Sequence, residues 1–296
     1  MRFEEFEKTI TEKVKNRLEN IKIRNNIVIK NNGVKLHGMS IISDKSNISP
    51  NIYLDSFYKE YKKGNMKIEE IVDEAVGIYN EHASDYNFDI KVIADFSKVS
   101  KLLRVRLVNT EKNKEMLEKI AHREWLDLSL IYAVDIATDN KEEMCSMRVT
   151  DMHMHMWGVD EETLYNNAME NMKSVDGGIV LNMAEMMKEI CGNNVDFDDT
   201  VPMYVLTNKT RMNGAIQMLN EQVLAEFANK IQNDFIILPS SIHEVLLVPV
   251  DNGVQDTKYL AQMVREVNDT SVTDEEILSY HVYRYDMQTG TIEIAA

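Results

Sequence analysis

Two short strings hold the residue types from which chemistry is most often built. The first is Met152-His153-Met154-His155-Met156-Trp157. On a strand, His153 and His155 would share a face and could begin a metal site, because imidazole nitrogens ligate transition metals. On a helix they stand about 200° apart and cannot share a small ion. The flanks favour the helix. Thr150 is a good N-cap, Gly158-Val159 suits a helix end, and Asp160 can cap a second helix beginning at Glu161-Glu162. The expected layout is helix, tight turn, helix through Met172, with Met156 and Trp157 in the core. His153 and His155 are then structural, and metal binding by them is the weak alternative. The layout does not point to DNA, since the second helix opens on acids and has one basic residue, Lys173, near its end.

The second string is Ile237-Leu238-Pro239-Ser240-Ser241-Ile242-His243-Glu244. It contains nucleophile, base and acid types within a few residues. Hydrolytic triads, however, gather such groups from separated segments, because near neighbours in an extended loop cannot line up in relay. No G-x-S-x-G elbow is present. The favoured reading is a strand–loop–strand crossover in which Ser240, Ser241 and the Glu244 carboxylate satisfy loop backbone donors. If the chain is an enzyme, Ser240, Ser241, His243 and Glu244 are its first candidates.

Other signatures are missing. Neither G-x-x-x-x-G-K-[ST] nor G-x-G-x-x-G nor H-E-x-x-H occurs, so no nucleotide or zinc-protease site is indicated and no cofactor is expected. Asp127 and Asp135 lie about 26 Å apart along one expected strand, too far for a carboxylate pair. Cys145 and Cys191 lack a basic neighbour and read as small buried hydrophobes. The 19 Met residues, concentrated in 144–187, read as adaptable core before plastic contact surface.

The elements that must position these residues belong to a chain of 296 residues, 44% apolar and 28% charged, which is globular in composition. No apolar run approaches the roughly 20 residues of a membrane span. The charged N-terminal stretch Met1–Glu7 is not a secretion signal. A cytoplasmic protein without membrane contact is expected. The net charge of −16 is unevenly spread. Residues 1–66 hold 13 basic and 8 acidic side chains, for +5, and the remainder holds 20 and 41, for −21. Lys13, Lys15, Arg17, Lys22 and Arg24 could meet a phosphate backbone, but no aromatic or Gly-rich recognition pattern accompanies them. Solvation or pairing with the chain's own acids is the favoured reading, and nucleic acid is an unfavoured partner.

Periodicity predicts a helix over 3–19 and a hairpin of 21–30 with 34–42 around Asn31-Asn32-Gly33. A short strand follows at 51–54, then helices over 55–63, capped by Asp55, and 66–82. The middle predicts strands at 88–94 and 102–108, a helix over 112–121, and a clear period-two strand at 126–137 returning through a turn at Asp139-Asn140 into 144–149. After an acidic turn at 196–200 come strands at 203–207 and 215–219, and a helix over 221–231 capped by Asn220. Strands at 235–238 and 245–250 and a helix over 257–267 follow. Thr273-Asp274-Glu275-Glu276 has the form of a capping box, and a last hairpin joins 281–286 to 291–294. The fold class is α+β, with antiparallel-rich mixed sheets and peripheral helices in two halves, 1–120 and 121–296, the helix–turn–helix insert lying near 150–173.

Several strings together resemble a bacterial family of intracellular proteins of unknown function. They are Asn32–Gly38, Ser49–Leu54, Trp157–Leu164, Tyr204–Asn208, Met263–Asn268 and, most specifically, Phe235–Glu244. The resemblance implies one architecture along nearly the whole chain and brings no substrate, cofactor or catalytic residue. The Met-His alternation after Thr150 departs from the family pattern, which weighs against a family-wide metal role for His153 and His155. The leading functional expectation is a protein that binds a protein or small ligand without chemistry of its own. A hydrolase using the Ser240–Glu244 loop is the alternative, and nucleic-acid contact through the basic N-terminal region comes third.

Overall fold

The computed structural model describes residues 1–43, 49, 51–82, 90–137, 144–191, 202–250 and 256–296. The chain is an α+β protein that divides into two compact units. The smaller comprises residues 1–30, 34–93 and 137–143, and the larger comprises 31–33, 94–136 and 144–296.

In the smaller unit, α1 (Phe3–Arg17) is followed by β1 (Ile21–Ile29), β2 (Lys35–Ser43) and β3 (Asn51–Tyr53), an antiparallel sheet in that order. Then come α2 (Leu54–Lys63), α3 (Ile68–His82) and the short α4 (Ile90–Ala94). The apolar stripe of α1, Phe6, Ile10 and Val14, is wholly buried against Met39 and Ile41 of β2, Leu54 and Phe57 of α2 and Ile71, Val72 and Ala75 of α3. That one-sided stripe is why a helix with acids and lysines between its apolar positions is stable here. Gly64 ends α2 in the left-handed region, at φ 78°. Asp55 lies in the first turn of α2, not at its cap, and its carboxylate takes the His37 backbone N–H at 2.7 Å and faces His37 Nδ1 at 2.9 Å.

After its residues 31–33, the larger unit continues with α5 (Phe96–Val99), β4 (Leu103–Asn109) and α6 (Lys114–Leu117). Next come β5 (His122–Trp125), β6 (Leu128–Ala137) and β7 (Met144–Arg148), which form a sheet of order β4-β6-β5 with β7 also on β6. This sheet crosses residue 120, the expected meeting point of the two halves. Two helices follow, α7 (Asp151–Trp157) and α8 (Glu161–Asn171), then a π-helical turn over Met172–Asp176. The remaining elements are β8 (Gly178–Asn182), α9 (Met183–Cys191), β9 (Tyr204–Asn208), α10 (Glu221–Ile231), β10 (Phe235–Pro239), β11 (Val245–Pro249), α11 (Thr257–Thr270), β12 (Tyr283–Asp286) and β13 (Thr291–Ile294). Six strands form one antiparallel sheet of order β13-β12-β10-β11-β9-β8. All five residues of β10 are buried, because Phe235 and Ile237 meet the main core while Ile236 and Leu238 pack with Val248, Val264 of α11 and Val282. A strand covered on both faces reads as a continuous apolar run, as Phe235–Leu238 does.

Several expectations give way. Residues 90–94 are helical where a strand was expected, since a short apolar run carries no distinguishing period. The helix expected over 112–121 shrinks to Lys114–Leu117. Buried Asn113 bonds back to the Asn109 carbonyl at 2.9 Å, and the chain turns into β5. The strand expected at 215–219 is a 3-10 helix over Gly214–Leu219 with Ala215, Ile216, Gln217 and Met218 all buried. Leu126 leaves the expected strand for the tight turn before β6, at φ 54°. No helix follows Thr273, whose hydroxyl bonds the Glu276 carboxylate within a turn. The Asn220 side chain does not cap α10, and its Nδ2 donates to Gln217 Oε1 at 2.9 Å. The turns expected at 139–140 and 196–200 lie outside the described residues.

Candidate functional site

The register of the six-stranded sheet brings the end of β9, the end of β10 and the starts of β8, β11 and β12 to one end. Three loops of the larger unit meet there. These are residues 208–214 after β9, 240–244 between β10 and β11, and the turn at 273–276.

Asn208 organises the first loop. Its Oδ1 accepts from the Met212 N–H at 3.2 Å and the Thr210 hydroxyl at 3.1 Å, and its Nδ2 donates to the Met212 carbonyl at 2.8 Å. Within that clasp Arg211 and Asn213 both adopt left-handed backbone, at φ 56° and 52°, a conformation that costs a non-glycine residue free energy. Gly214 completes the turn. A Cβ there would sit 2.2 Å from Thr207 Oγ1 and 2.6 Å from the His243 carbonyl oxygen, so only glycine fits without rearrangement.

The Ser240–Glu244 loop is fastened to both neighbours. Thr207 Oγ1 donates to the His243 carbonyl at 2.8 Å, the Ala215 N–H to the Ile242 carbonyl at 3.2 Å, and the Ile242 N–H to the Glu276 carbonyl at 2.9 Å. His243 Nδ1 accepts the Asn213 N–H at 3.1 Å, which leaves the ring proton on Nε2, 3.6 Å from Glu276 Oε1. The Ser241 hydroxyl accepts the His243 N–H at 3.0 Å, as expected of a loop hydroxyl. The Glu244 carboxylate does not serve the loop as expected. Its backbone carbonyl does, taking the Ser241 N–H at 3.1 Å. Ser240, Ser241, His243 and Glu244 are all half-buried, so the loop is reachable from solvent.

This geometry turns the His243 ring toward the two neighbouring loops. With Nδ1 filled by a backbone donor and Nε2 facing Glu276, His243 makes no hydrogen bond to a serine hydroxyl among the described residues. The 208–214 loop presents Lys209, Thr210, Arg211 and Met212 outward, with Met212 59% exposed, and the turn at 273–276 presents Thr273 and Asp274.

The other expected site residues are placed elsewhere. His153 and His155 stand on α7, as the helical reading requires, and His153 Nδ1 lies 3.0 Å from the Thr150 backbone nitrogen in a capping-box arrangement. Burial lowers the pKa of His153, which keeps its ring a neutral acceptor. Trp157 packs against Phe96, but Met156 is 47% exposed and is not core. Cys145 is half-buried. Among the described residues no three His, Cys, Asp or Glu side chains are grouped to hold a metal.

A second polar cluster escaped sequence reasoning. Arg106 pairs with Asp135 at 2.5 Å and Arg104 with Asp176 at 3.0 Å, each side chain at most 20% exposed. Burial pushes the Asp176 carboxyl up, a shift that Arg104 opposes. The alternation of Arg104 and Arg106 on β4 was a usable signal for one side of this cluster. The π-turn that delivers Asp176 had none. Of the five basic N-terminal candidates, Lys13 and Arg17 are spent on ion pairs with Glu69 and Asp73 of α3.

Residues 3–287 match the model described as a family of unknown function, DUF5688. The chain belongs to that family. Comparison with curated proteins and with solved structures found no match. Among the described residues no helix is long and apolar enough to cross a membrane.

Proposed function

We propose that the protein works by binding a protein or small ligand, without chemistry of its own, and that the loop end of the larger unit is the contact surface. One observation carries this reading. The groups that resembled a hydrolytic set are used to hold the loops in place: His243 Nδ1 ties its loop to Asn213, its Nε2 faces Glu276, and the Ser241 hydroxyl accepts the His243 N–H within the loop. Fastened loops on a sheet scaffold are what a pre-organised binding surface needs. The exposed Lys209, Arg211 and Met212 supply two cations and an adaptable apolar contact, suited to an anionic group beside an apolar one.

Native mass spectrometry of protein purified without a tag tests this. The wild-type chain should retain a bound molecule that K209E/R211E, altered only at exposed positions, releases. Labelling of Ser240 or Ser241 by a fluorophosphonate probe, or ester hydrolysis abolished by S241A, would replace binding with the hydrolase reading.

A further inference from the structure

We propose that the outer edge of β1 is a docking edge for an extended acidic peptide, which adds as a fourth strand to the sheet of the smaller unit. β1 stands at the end of the order β1-β2-β3, and among the described residues β2 is its one strand partner. Its nine residues contain no proline and pair with β2 without a bulge, from Ile21↔Ser43 to Ile29↔Lys35. Every second residue of Ile21–Val28 therefore turns its backbone N–H and C=O away from β2. Edges of this kind are usually shortened, bulged or covered. Here Arg24, Asn25, Asn26 and Ile27 are exposed, Ile27 at 60%.

Two further observations choose the occupant. A cleft of about 320 Å³ opens where α1 passes into β1, lined by Lys15, Leu18, Asn20, Ile21 and Lys22. Its apolar contributors and flanking lysines lie beside the start of the edge, where a side chain of an added strand would be received. The second is charge. Lys13 and Arg17 are committed to Glu69 and Asp73, whereas Lys15, Lys22 and Arg24 make no ion pair with a described residue. Lys22 and Arg24 on the edge strand, with Lys15 of α1 beside its start, favour carboxylates on the incoming strand. They disfavour a second copy of β1, whose Lys22 and Arg24 would enter the same seam.

The probe is a fluorescein-labelled peptide alternating Glu and Val, followed by anisotropy with the full chain. Binding should weaken about tenfold in K22E/R24E and in high salt, the size expected from losing two exposed charge pairs. It should vanish when alternate peptide nitrogens are methylated, and hydrogen exchange should slow within Ile21–Val28 of the wild-type protein. Because that last readout uses no variant, misfolding of K22E/R24E would leave it decisive. Equal binding of a Lys-Val peptide, indifference to N-methylation or unchanged exchange in β1 would overturn the proposal. So would tighter binding of an oligothymidylate, or a concentration-dependent dimer that I27K dissolves.

Discussion

Asp127 shows how a single side chain can hold buried groups from a distant segment. Its two carboxylate oxygens accept the Tyr283 phenol and the Ser279 hydroxyl, each at 2.7 Å, and both donor residues are wholly buried. Burial first, then the Asp127 charge, pushes the Tyr283 pKa up, so the phenol remains a donor at every ordinary pH. D127A should cost roughly 2–4 kcal/mol, because it orphans two buried donors, whereas Y283F should cost about 1 kcal/mol. Urea denaturation of both variants checks the difference. His153 makes a pH prediction. Its folded pKa is lowered, so its contribution is full above the unfolded value near 6.5 and is lost as the pH falls below it. H153Q keeps an acceptor at the same capping position and should flatten the stability profile between about pH 7 and 5. The positions of His153 and His155 on a helix were legible from Thr150 and Gly158. The partners of His243 were not, because Asn213 and Glu276 reach it from other loops.

At the scale of elements, legibility followed periodicity and punctuation. The stripe of α1, the Asp160 cap and left-handed Gly158 of the α7–α8 pair, and the β12–β13 hairpin all have local causes, and each forms as expected. The Gly214–Leu219 turn does not announce itself, since near-complete burial erases alternation. Its geometry is set by neighbours that crowd Gly214 to within 2.2 Å of a Cβ. G214A should therefore cost about 1–3 kcal/mol through overpacking. It should also loosen the Asn213–His243 bond, read as faster exchange of the Asn213 amide. Unchanged exchange in a destabilised G214A would separate the packing role from the loop-fastening role.

At the scale of the molecule, the two units have separate apolar cores. Ile71 is wholly buried in the smaller and Leu247 in the larger. I71A and L247A should each cost about 2–5 kcal/mol, with lost hydrogen-exchange protection concentrated in the unit that contains the substitution. Equal loss in both units from either change would mean that they unfold as one. The split of charge, +5 in residues 1–66 against −21 beyond, is a property of the sequence alone. So are the α+β class, the helix that places His153 and His155, and the apolar run of β10, because each depends on composition or on near neighbours. The tertiary structure decided which charges are spent and which are available. Lys13 and Arg17 meet acids on α3, Lys15 and Lys22 do not, and the suggestive Ser240–Glu244 string became a loop fastening. Those outcomes turn on distances between residues far apart in the chain, and such distances exist only once the strands have found their register.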